Sequence, residues 1–399
     1  MRSEWRTARL GELVAFKTGK LDSNAAVPEG DYPFFTCSQE TLRTDTCSFD
    51  TECVLLAGNN ANGIYPLKYF HGKFDAYQRT YVITTRDPNR LTTKFLYYAL
   101  RPKLSEFRSI STGAATKFLT LAILNETEIQ VPPLSVQRRI AGILSAYDDL
   151  IENNQRRIRI LEEMARALYR EWFVQFRFPR HASVPLVPSA LGPIPKGWEV
   201  VSIDDVCERV TDGSHSSPKS VKDGLPMASS KDMHDYGLDL TTCRLISRED
   251  YELLVRNGCK PKRNDVLVTK DGANYLKHIF VVREEQELVL LSSIAILRPN
   301  QKINTHLLAA ILRSVENKDR LKNYVTGAAI PRIILKDFKQ FSILLPIQKV
   351  QSCWVKVMVP ITELCWRLID QVDNLRRTRD LLLPRLLSGD INPEPNTTA

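Results

Sequence analysis

The apolar residues of segment 140–172 recur at alternating spacings of four and three, which is typical of a coiled-coil helix. The same frame returns 214 residues later, in segment 354–386. We therefore predict two long helices that pair as an antiparallel coiled coil. The residues predicted to pair them are Leu144, Ile151, Ile158, Leu161, Leu168, Met358, Cys365, Val372, Leu375 and Leu382. Two amphipathic helices, each packed on its own domain, are the alternative.

The predicted helices have a defined length and a few irregular positions. At about 1.5 Å per residue, segment 140–172 spans roughly 50 Å. Asn154 occupies a seam position, where a polar side chain either fixes the register or is tolerated near a crossing. Proline lacks an amide hydrogen and costs about 3 kcal/mol inside a helix. Pro360 therefore predicts a kink or a new helix start near Ile361, and Pro384 acts similarly near the other end.

Before each long helix, short apolar runs alternate with turns rich in Gly, Asn and Pro, which predicts many short strands. The predicted strands are 53–58 and 80–84 in the first half, and 265–269 and 290–297 in the second. A short helix follows in each half, at 95–100 and 307–312. The fold class is therefore mixed α/β (α+β).

The two halves are copies of one unit. An offset of 214 residues superposes Gln137 on Gln351, Pro132 on Pro346, and the Thr-Gly-Ala-Ala segment 112–115 on 326–329. Near the start of each copy the offset is only 193, as between Trp5 and Trp198, so the second copy carries an insertion in its first part. Two copies in one chain form an internal pseudo-dimer, which suits a target made of two half-sites.

These patterns predict two tandem globular domains, each followed by a long helix. The predicted boundaries are 1–134 for the first domain, 135–178 for the central helix, 179–197 for a linker, 198–346 for the second domain, 347–389 for the C-terminal helix and 390–399 for a tail. Beyond Pro179, the linker contains four prolines, at 185, 188, 193 and 195, so we expect it to be stiff.

Composition narrows the class of protein. A chain of 399 residues with 43% hydrophobic and 25% charged residues is long enough for two globular cores. It has neither an apolar leader nor a run long enough to span a bilayer, so we expect a cytoplasmic protein without a membrane partner. Eight cysteines without a Cys-x-x-Cys pair predict neither a zinc site nor disulfides. The net charge of +9 is compatible with a polyanionic partner but does not establish one.

Two sets of segments resemble a known family. The Val-Pro-Pro-Leu-Ser-Val-Gln-Arg-Arg-Ile segment 131–140 and the helix-closing segment 170–176 resemble the central region of type I restriction-modification specificity subunits. Segments 212–219 and 265–272 resemble recurring parts of that family's target-recognition domains. The resemblance covers nearly the whole chain, in the order domain, helix, domain, helix. The chain departs from the pattern at Pro360 and at segment 345–347, where a single proline replaces a double one.

This resemblance implies a non-catalytic DNA sequence-specificity subunit. Each target-recognition domain would read one half of a bipartite gapped site, with half-sites about one helical turn (~34 Å) apart. The helices would set the spacer and dock two methyltransferase (modification) subunits, and we expect this docking at the exposed helix ends 169–176 and 381–387. Restriction subunits are further candidate partners beside double-stranded DNA. No cofactor is expected in this chain, while S-adenosylmethionine would belong to the methyltransferase subunit, and ATP and Mg to the restriction subunit.

Side chains that donate or accept hydrogen bonds on exposed loops are the candidates for reading DNA bases. They are Asn59, Asn60, Gln78, Arg79 and Lys117 in the first domain, and Asp212, His215, Lys219, Lys231, Lys270 and Arg332 in the second. Each is also explained as a surface residue or turn former. The loops around Lys117 and Arg332 stand out, because both follow the repeated Thr-Gly-Ala-Ala segment and diverge directly after it.

Two other classes of function are less well supported. A DNA methyltransferase would need a Gly-rich cofactor turn and an Asn/Asp-Pro-Pro-aromatic segment, but segment 131–134 lacks both the polar and the aromatic residue. The Gly-x-x-x-x-Gly-Lys-Ser/Thr loop of a nucleotide-driven motor is also missing. A coiled-coil scaffold without DNA readout would explain the helices but not two diverged globular repeats. We therefore predict neither catalytic nor metal-binding residues.

Overall fold

The computed structural model describes residues 5–60, 63–111, 117–327 and 331–393. The chain divides into two compact units. Unit one comprises residues 1–155 and 370–399, and unit two comprises residues 156–369. In the described part of the chain, no helix has the length and apolar character needed to cross a membrane.

Among its described residues, the first half of the chain forms ten strands and five α-helices. The strands are β1 (Arg6–Arg9), β2 (Val14–Thr18), β3 (Tyr32–Phe35), β4 (Leu42–Thr44), β5 (Phe49–Ala57), β6 (Asn59–Asn60), β7 (Leu67–Ala76), β8 (Thr80–Thr85), β9 (Lys117–Phe118) and β10 (Glu128–Val131). The helices are α1 (Leu10–Leu13), α2 (Thr93–Leu100), α3 (Lys103–Ile110), α4 (Leu121–Glu126) and α5 (Leu134–Tyr169), and a π-helical turn (Arg170–Val174) continues α5.

The second half follows the same plan with more strands. The strands are β11 (Leu186–Val187), β12 (Ile194–Pro195), β13 (Glu199–Ser202), β14 (Cys207–Asp212), β15 (Leu225–Ala228), β16 (Arg244–Ile246), β17 (Val266–Thr269), β18 (Ile279–Val281), β19 (Val289–Leu290), β20 (Ile294–Pro299), β21 (Val325–Thr326), β22 (Arg332–Ile333) and β23 (Ser342–Leu345). The helices are α6 (Ile203–Val206), α7 (Arg248–Arg256), α8 (Thr305–Arg313), α9 (Val315–Lys322), α10 (Leu335–Lys339) and α11 (Gln348–Leu387).

The two halves share one sheet topology. Unit one has a six-stranded sheet in the order β2-β8-β5-β7-β3-β4, and its β3–β7 pair is parallel. Unit two has a four-stranded sheet, β14-β20-β17-β18, and a three-stranded sheet, β16-β15-β19, in which β15–β19 is parallel. Strands β18 and β19 thus take the place of the single strand β7. The sequence repeat is therefore a repeat of fold, and the insertion in the second copy coincides with a divided sheet.

Buried strands form the centre of each core. Residues 53–57 of β5 and all four residues of β17 are buried, as expected for strands covered on both faces. The predicted strands at 53–58, 80–84 and 265–269 are confirmed as β5, β8 and β17, and the predicted short helices as α2 and α8. In unit two the core also includes Trp198, Phe338 and Trp354.

The prediction of one continuous strand over 290–297 is wrong, because the segment contains the end of β19 and the start of β20. The chain leaves β19 after Leu290 and enters β20 at Ile294, with a turn between them. Polar partners stabilise that turn: the Ser292 N–H donates to the Ser214 carbonyl at 3.0 Å, and Ser293 Oγ accepts from the Ser230 N–H at 3.0 Å. Long-range bonds to other loops therefore replace the ladder bonds that a continuous strand would have made.

Helix α11 runs through both of its prolines. Of the two outcomes predicted near Ile361, the new helix start is wrong and the kink stays a prediction. A helical proline deprives the carbonyl four residues earlier of its donor, here at Lys356 and Asp380. Both of those residues are exposed, so water can satisfy their carbonyls. The buried side chains of Met358 and Cys365 hold the helix on the core.

The proline-rich segment 179–197 is packed rather than extended away from the domain. Its strands β11 and β12 form an antiparallel ribbon. The core of unit two includes Ile194 within this segment and Phe178 and Trp198 directly beside its ends. The ring centroids of Phe178 and Trp198 lie 5.2 Å apart. The segment predicted as a stiff linker is therefore part of the packed body of unit two.

The ten residues predicted to pair the helices are all at least half-buried. Five are buried (Leu144, Ile151, Met358, Cys365, Val372) and five are half-buried (Ile158, Leu161, Leu168, Leu375, Leu382). Within unit one, Arg379 of α11 donates to Asp148 of α5 at 2.6 Å, and Asn154 Nδ2 donates to Gln371 Oε1 at 3.3 Å.

A buried glutamine ties the start of α5 to unit one. The side chain of Gln137 is fully buried. Its Nε2 donates to the carbonyls of Arg90 (2.8 Å) and Pro132 (2.9 Å), and its Oε1 accepts from the Thr92 N–H at 2.9 Å. One side chain thus satisfies three backbone groups of two segments, which is the requirement for burying an amide at low cost.

Gln351 makes the same three bonds in unit two. Its Nε2 donates to the carbonyls of Lys302 (3.0 Å) and Pro346 (2.8 Å), and its Oε1 accepts from the Asn304 N–H at 3.3 Å. The 214-residue repeat therefore extends to individual hydrogen bonds. We call Gln137 and Gln351 the clamp glutamines.

Replacement of Gln137 by methionine should lower the free energy of unfolding by about 2–4 kcal/mol. The side-chain volume is kept, but two carbonyls and one N–H lose their partner inside the core, and an orphaned buried group costs about 1–3 kcal/mol. Thermal unfolding followed by calorimetry measures the loss. Gln39→Met, at an exposed position, is the matched control and should unfold like the wild type. Equal behaviour of the two variants would contradict the proposed role of the clamp.

Stability should fall below about pH 6.5 through His306. The pKa of His306 lies below its ordinary value of 6.5, mainly because the ring is buried and also because the Arg313 charge is near. As the pH falls the unfolded chain therefore binds a proton on this ring before the folded chain does, and folding loses free energy. Melting temperatures at pH 7.5 and 5.5 should differ more for the wild type than for His306→Gln. His71→Gln, at an exposed position, should keep the wild-type difference.

Candidate nucleic-acid interface

The five candidates of the first domain come together at one place in unit one. Strands β6 and β9 pair so that Asn59 faces Phe118 and Asn60 faces Lys117. The Gly58 N–H donates to the Arg79 carbonyl at 2.7 Å, which brings the turn before β8 to the same place. We call this group site one; it contains Asn59, Asn60, Gln78, Arg79, Lys117 and Phe118.

Neighbouring groups orient the polar side chains of site one. Gln78 Nε2 donates to Asp22 Oδ1 at 2.6 Å, and Asn59 Oδ1 accepts from Cys37 Sγ at 3.0 Å. The Arg79 guanidinium lies over the ring of Phe118, 5.7 Å from its centroid. Gln78, Arg79 and Phe118 are all exposed. Site one therefore presents an aromatic ring, a cation and amides to solvent.

Arg108 is a basic residue near site one that the sequence did not single out. Gly63 has a positive φ of 66°, and a Cβ added to it would meet Arg108 Cγ at 3.0 Å and Lys117 Cγ at 3.5 Å. The stems of these two basic side chains therefore flank Gly63. A side chain at this position would displace them, and its backbone conformation itself favours glycine.

Four candidates of the second domain form a connected group in unit two. Lys270 Nζ lies 3.3 Å from Asp212 Oδ2 and 3.2 Å from Asp271 Oδ1, and His215 Nε2 lies 3.3 Å from Asp212 Oδ1. Asp271 pairs with Arg332 in an antiparallel bridge. We call this group site two; it contains Asp212, His215, Lys270, Asp271 and Arg332. The turn after β14 also lines a cavity of about 360 Å³ together with Asp250 and Asn257.

The position of Lys270 differs from the sequence prediction. The sequence predicted a donor on an exposed loop, but the residue is only 5% exposed and its ammonium group contacts two carboxylates. A buried ammonium ion with these partners is held in place by charge and cannot extend toward a ligand. Lys270 therefore supports site two from beneath.

The remaining two candidates of the second domain lie outside this group of contacts. Lys219 lies in an exposed loop a few residues after His215. Lys231 is exposed on a short helical turn, Ser230–Asp232, that is tied to site two through Ser293. The carbonyl of that serine accepts from the Lys270 N–H at 3.0 Å.

Site one and site two are built on the same backbone frame. The Leu119 N–H donates to the Gly58 carbonyl at 2.9 Å, and the Ile333 N–H donates to the Lys270 carbonyl at 3.0 Å. Next to these bonds, the pair Asn59–Phe118 in unit one corresponds to the pair Asp271–Arg332 in unit two. Phe118 and Asp271 were not predicted. The 214-residue offset applied to Arg332 leads directly to Phe118 and could have found it.

Some predictions concern residues that the structure does not describe. The Thr-Gly-Ala-Ala segment 112–115 and the last two residues of its copy, 328 and 329, lie outside the described residues. Thr326 of the copy pairs with Arg332 in the β21–β22 ribbon. Where the chain is described, no group of three or more His, Cys, Asp or Glu side chains is arranged to hold a metal ion.

The helix ends at which the sequence predicted docking, segments 169–176 and 381–387, are partly buried. Tyr169 and Phe173 are buried in the core of unit two, and Leu383 and Leu386 in the core of unit one. These four apolar side chains are part of the domain cores, because the helix ends pack on the domains. In segment 381–387 Leu381 remains 65% exposed.

Comparison with known proteins identifies the family. The family model for the type I restriction modification DNA specificity domain matches residues 2–163 and 195–374, one match for each repeat. The chain therefore belongs to the family of type I restriction-modification specificity subunits. Restriction-modification proteins of this family carry target-recognition domains, which agrees with the two repeated α/β domains described above.

Individual relatives agree with this assignment. The chain is similar to the type I restriction enzyme EcoDI specificity subunit of Escherichia coli, with 33% identity over 224 residues, 51% of this chain and 49% of the relative. It is also similar to the MjaIX specificity subunit of Methanocaldococcus jannaschii, with 26% identity over 312 residues, 76% of this chain and 70% of the relative. The match thus spans about half the length of the first relative.

A solved structure shares the fold. The S subunit of a type I restriction-modification system from M. genitalium superposes with a TM-score of 0.64 at 18% sequence identity, covering 96% of each chain. This likeness concerns the fold, because the sequence identity is low.

Proposed function

We propose that this chain is the non-catalytic specificity subunit of a type I restriction-modification complex and binds double-stranded DNA at a bipartite gapped site. One recognition domain, residues 1–134, reads one half-site through site one. The other, residues 198–346, reads the second half-site through site two. The observation that carries this proposal is one backbone frame, repeated in each unit, with different side chains at its exposed positions. Two related domains that bind different DNA sequences would need this combination of a shared backbone and different exposed side chains.

The helical segments 135–178 and 347–389 are the spacer element of the proposal. They pair as an antiparallel coiled coil and hold the two recognition domains at a set distance. Two contacts inside unit one support this pairing, Asp148–Arg379 and Asn154–Gln371. The residue numbers increase along α5 while those of their partners decrease along α11, as in an antiparallel pair. The packed segment 179–197 then belongs with the second domain, and residues 390–399 form the tail.

The proposed protein partners are two methyltransferase subunits and, in the restriction complex, restriction subunits. Docking uses the outward faces of the long helices, where apolar side chains remain exposed. These side chains are Ile160, Met164 and Val357 in unit two and Leu150 and Leu381 in unit one, between 45% and 65% exposed. S-adenosylmethionine belongs to the methyltransferase subunits, and ATP and Mg to the restriction subunits.

Sequencing of methylated DNA from cells that express this chain with its cognate methyltransferase subunit tests the proposal. The expected result is one gapped motif. Replacement of residues 198–346 by the corresponding domain of another family member should change one half of that motif, and replacement of residues 1–134 should change the other half. A stable purified complex without any methylated motif would overturn the proposal in favour of a coiled-coil scaffold without DNA readout.

A further inference from the structure

The equivalent pairs of the two sites carry side chains that match different base pairs. We propose, on the basis of the proposed function, that Asn59 and Phe118 read an A·T pair in one half-site and that Asp271 and Arg332 read a G·C pair in the other. The same backbone position thus recognises a different base pair in each of the two units.

The backbone places both members of each pair on one face. Residues directly opposite each other in an antiparallel bridge project to the same side, with Cβ atoms about 4.5–5.5 Å apart. Successive strand residues alternate between faces. Leu119 and Ile333, the next residues along the chain, are 1% and 0% exposed, so they mark the inner face. Phe118 and Arg332 therefore project outward, and both are exposed.

The chemistry of the unit-one pair matches adenine and thymine. An asparagine amide can donate to adenine N7 and accept from adenine N6, and an apolar side chain can pack against the thymine methyl group. The Cys37 thiol at 3.0 Å fixes the direction of the Asn59 amide and leaves the second lone pair of Oδ1 available. Arg79, stacked over the Phe118 ring, holds the ring and brings a positive charge toward the phosphates.

The chemistry of the unit-two pair matches guanine and cytosine. A guanidinium fork donates to guanine O6 and N7, and a carboxylate accepts from cytosine N4. A carboxylate near DNA is otherwise repelled by the phosphates. The buried ammonium group of Lys270, 3.2 Å from both carboxylate oxygens of Asp271, offsets that repulsion while each oxygen keeps a lone pair for the base.

Exchange of the two pairs tests the inference. One variant carries Asp271→Asn with Arg332→Phe, and the reciprocal variant carries Asn59→Asp with Phe118→Arg. Each full-length chain is expressed with its cognate methyltransferase subunit, and the methylated motif is sequenced. The first variant should replace one G·C pair by A·T in one half-site, and the second should replace one A·T pair by G·C in the other. The spacer and the remaining positions should stay unchanged.

Single variants measure the same effect by binding. Fluorescence anisotropy compares the purified complex on the wild-type motif and on DNA with the one base pair exchanged. Wild type should prefer its own motif by roughly 5- to 150-fold, the range for one well-formed base contact. Arg332→Lys keeps the charge but loses the fork, so the preference at the G·C pair should fall while binding to unrelated DNA is kept. Arg263→Phe, at an exposed arginine before the start of β17, should keep the full preference.

The outcomes separate the inference from the proposed function. An unchanged motif in both exchange variants, with a wild type that methylates a gapped motif, would overturn the inference alone. So would an Arg332→Lys variant that discriminates at the G·C pair as well as the wild type does. A wild type that assembles with its partner but methylates no gapped motif would overturn the proposed function itself.

Discussion

Replacement of Trp354 by alanine is expected to lower the free energy of unfolding by about 3–5 kcal/mol, the range for removal of a buried aromatic side chain. Trp354 is fully buried in the core of unit two. Its ring meets that of Phe173 at 5.6 Å, and Phe173 in turn meets Trp198 at 5.8 Å. The cavity would therefore open between the second turn of α11, the end of the central helix and the start of the second domain.

Calorimetry of the full chain checks this expectation. The melting temperature of unit two should fall by roughly 2–4 °C for each kcal/mol lost. Trp366→Ala, at a half-buried position on the same helix, is the matched control and should lose clearly less. Equal losses in the two variants would show that burial of Trp354 is not what makes this position important.

Replacement of Lys270 by methionine is expected to have an effect of similar size, about 3–5 kcal/mol, for an electrostatic reason. Removal of one partner from a buried ion pair leaves an uncompensated charge. The side chains of Asp212 and Asp271 are only 10% and 24% exposed, so the variant would hold two such carboxylates close together. Urea or thermal denaturation of the variant measures the loss.

A double-mutant cycle isolates the electrostatic part. Asp212→Asn in the Lys270→Met background should recover part of the stability, because one of the two unpaired charges is removed. Lys336→Met, at an exposed position on α10, should leave stability close to that of the wild type. If Asp212→Asn made the Lys270→Met variant still less stable, the ion group would not be the source of the effect.

The elements with strong periodicity were predictable because burial itself creates the periodicity. The long helices show this through the spacing of their buried residues. Strands β5 and β17, buried on both faces, were instead predictable as short continuous apolar runs. The uninterrupted course of α11 through Pro360 was not predictable. Local sequence does not reveal that Lys356, whose carbonyl loses its donor, is exposed while Met358 and Cys365 are buried. The break between β19 and β20 likewise depends on bonds to Ser214 and Ser230, which are distant in sequence.

The grouping of the candidate residues was partly predictable from the sequence, but the burial of each side chain was not. The candidates were chosen by residue type, and in unit one all five lie together. Burial of Lys270 depends on Asp212 arriving from another strand, and a single sequence carries no record of that approach. Phe118 was passed over because an aromatic residue is more often part of a core. Its exposure follows from Leu119 taking the inward position.

The clamp glutamines have a consequence for how such chains can diversify. Each amide recognises only main-chain groups: two carbonyls and one N–H. A main-chain group is the same whatever side chain the residue carries. The hydrogen bonds that join each domain to its long helix therefore do not depend on the side chains of the bonded residues. We therefore expect that a domain of different sequence can precede either glutamine and keep these hydrogen bonds. The side chains of each domain can thus differ while the hydrogen bonds that join the domain to its long helix stay the same.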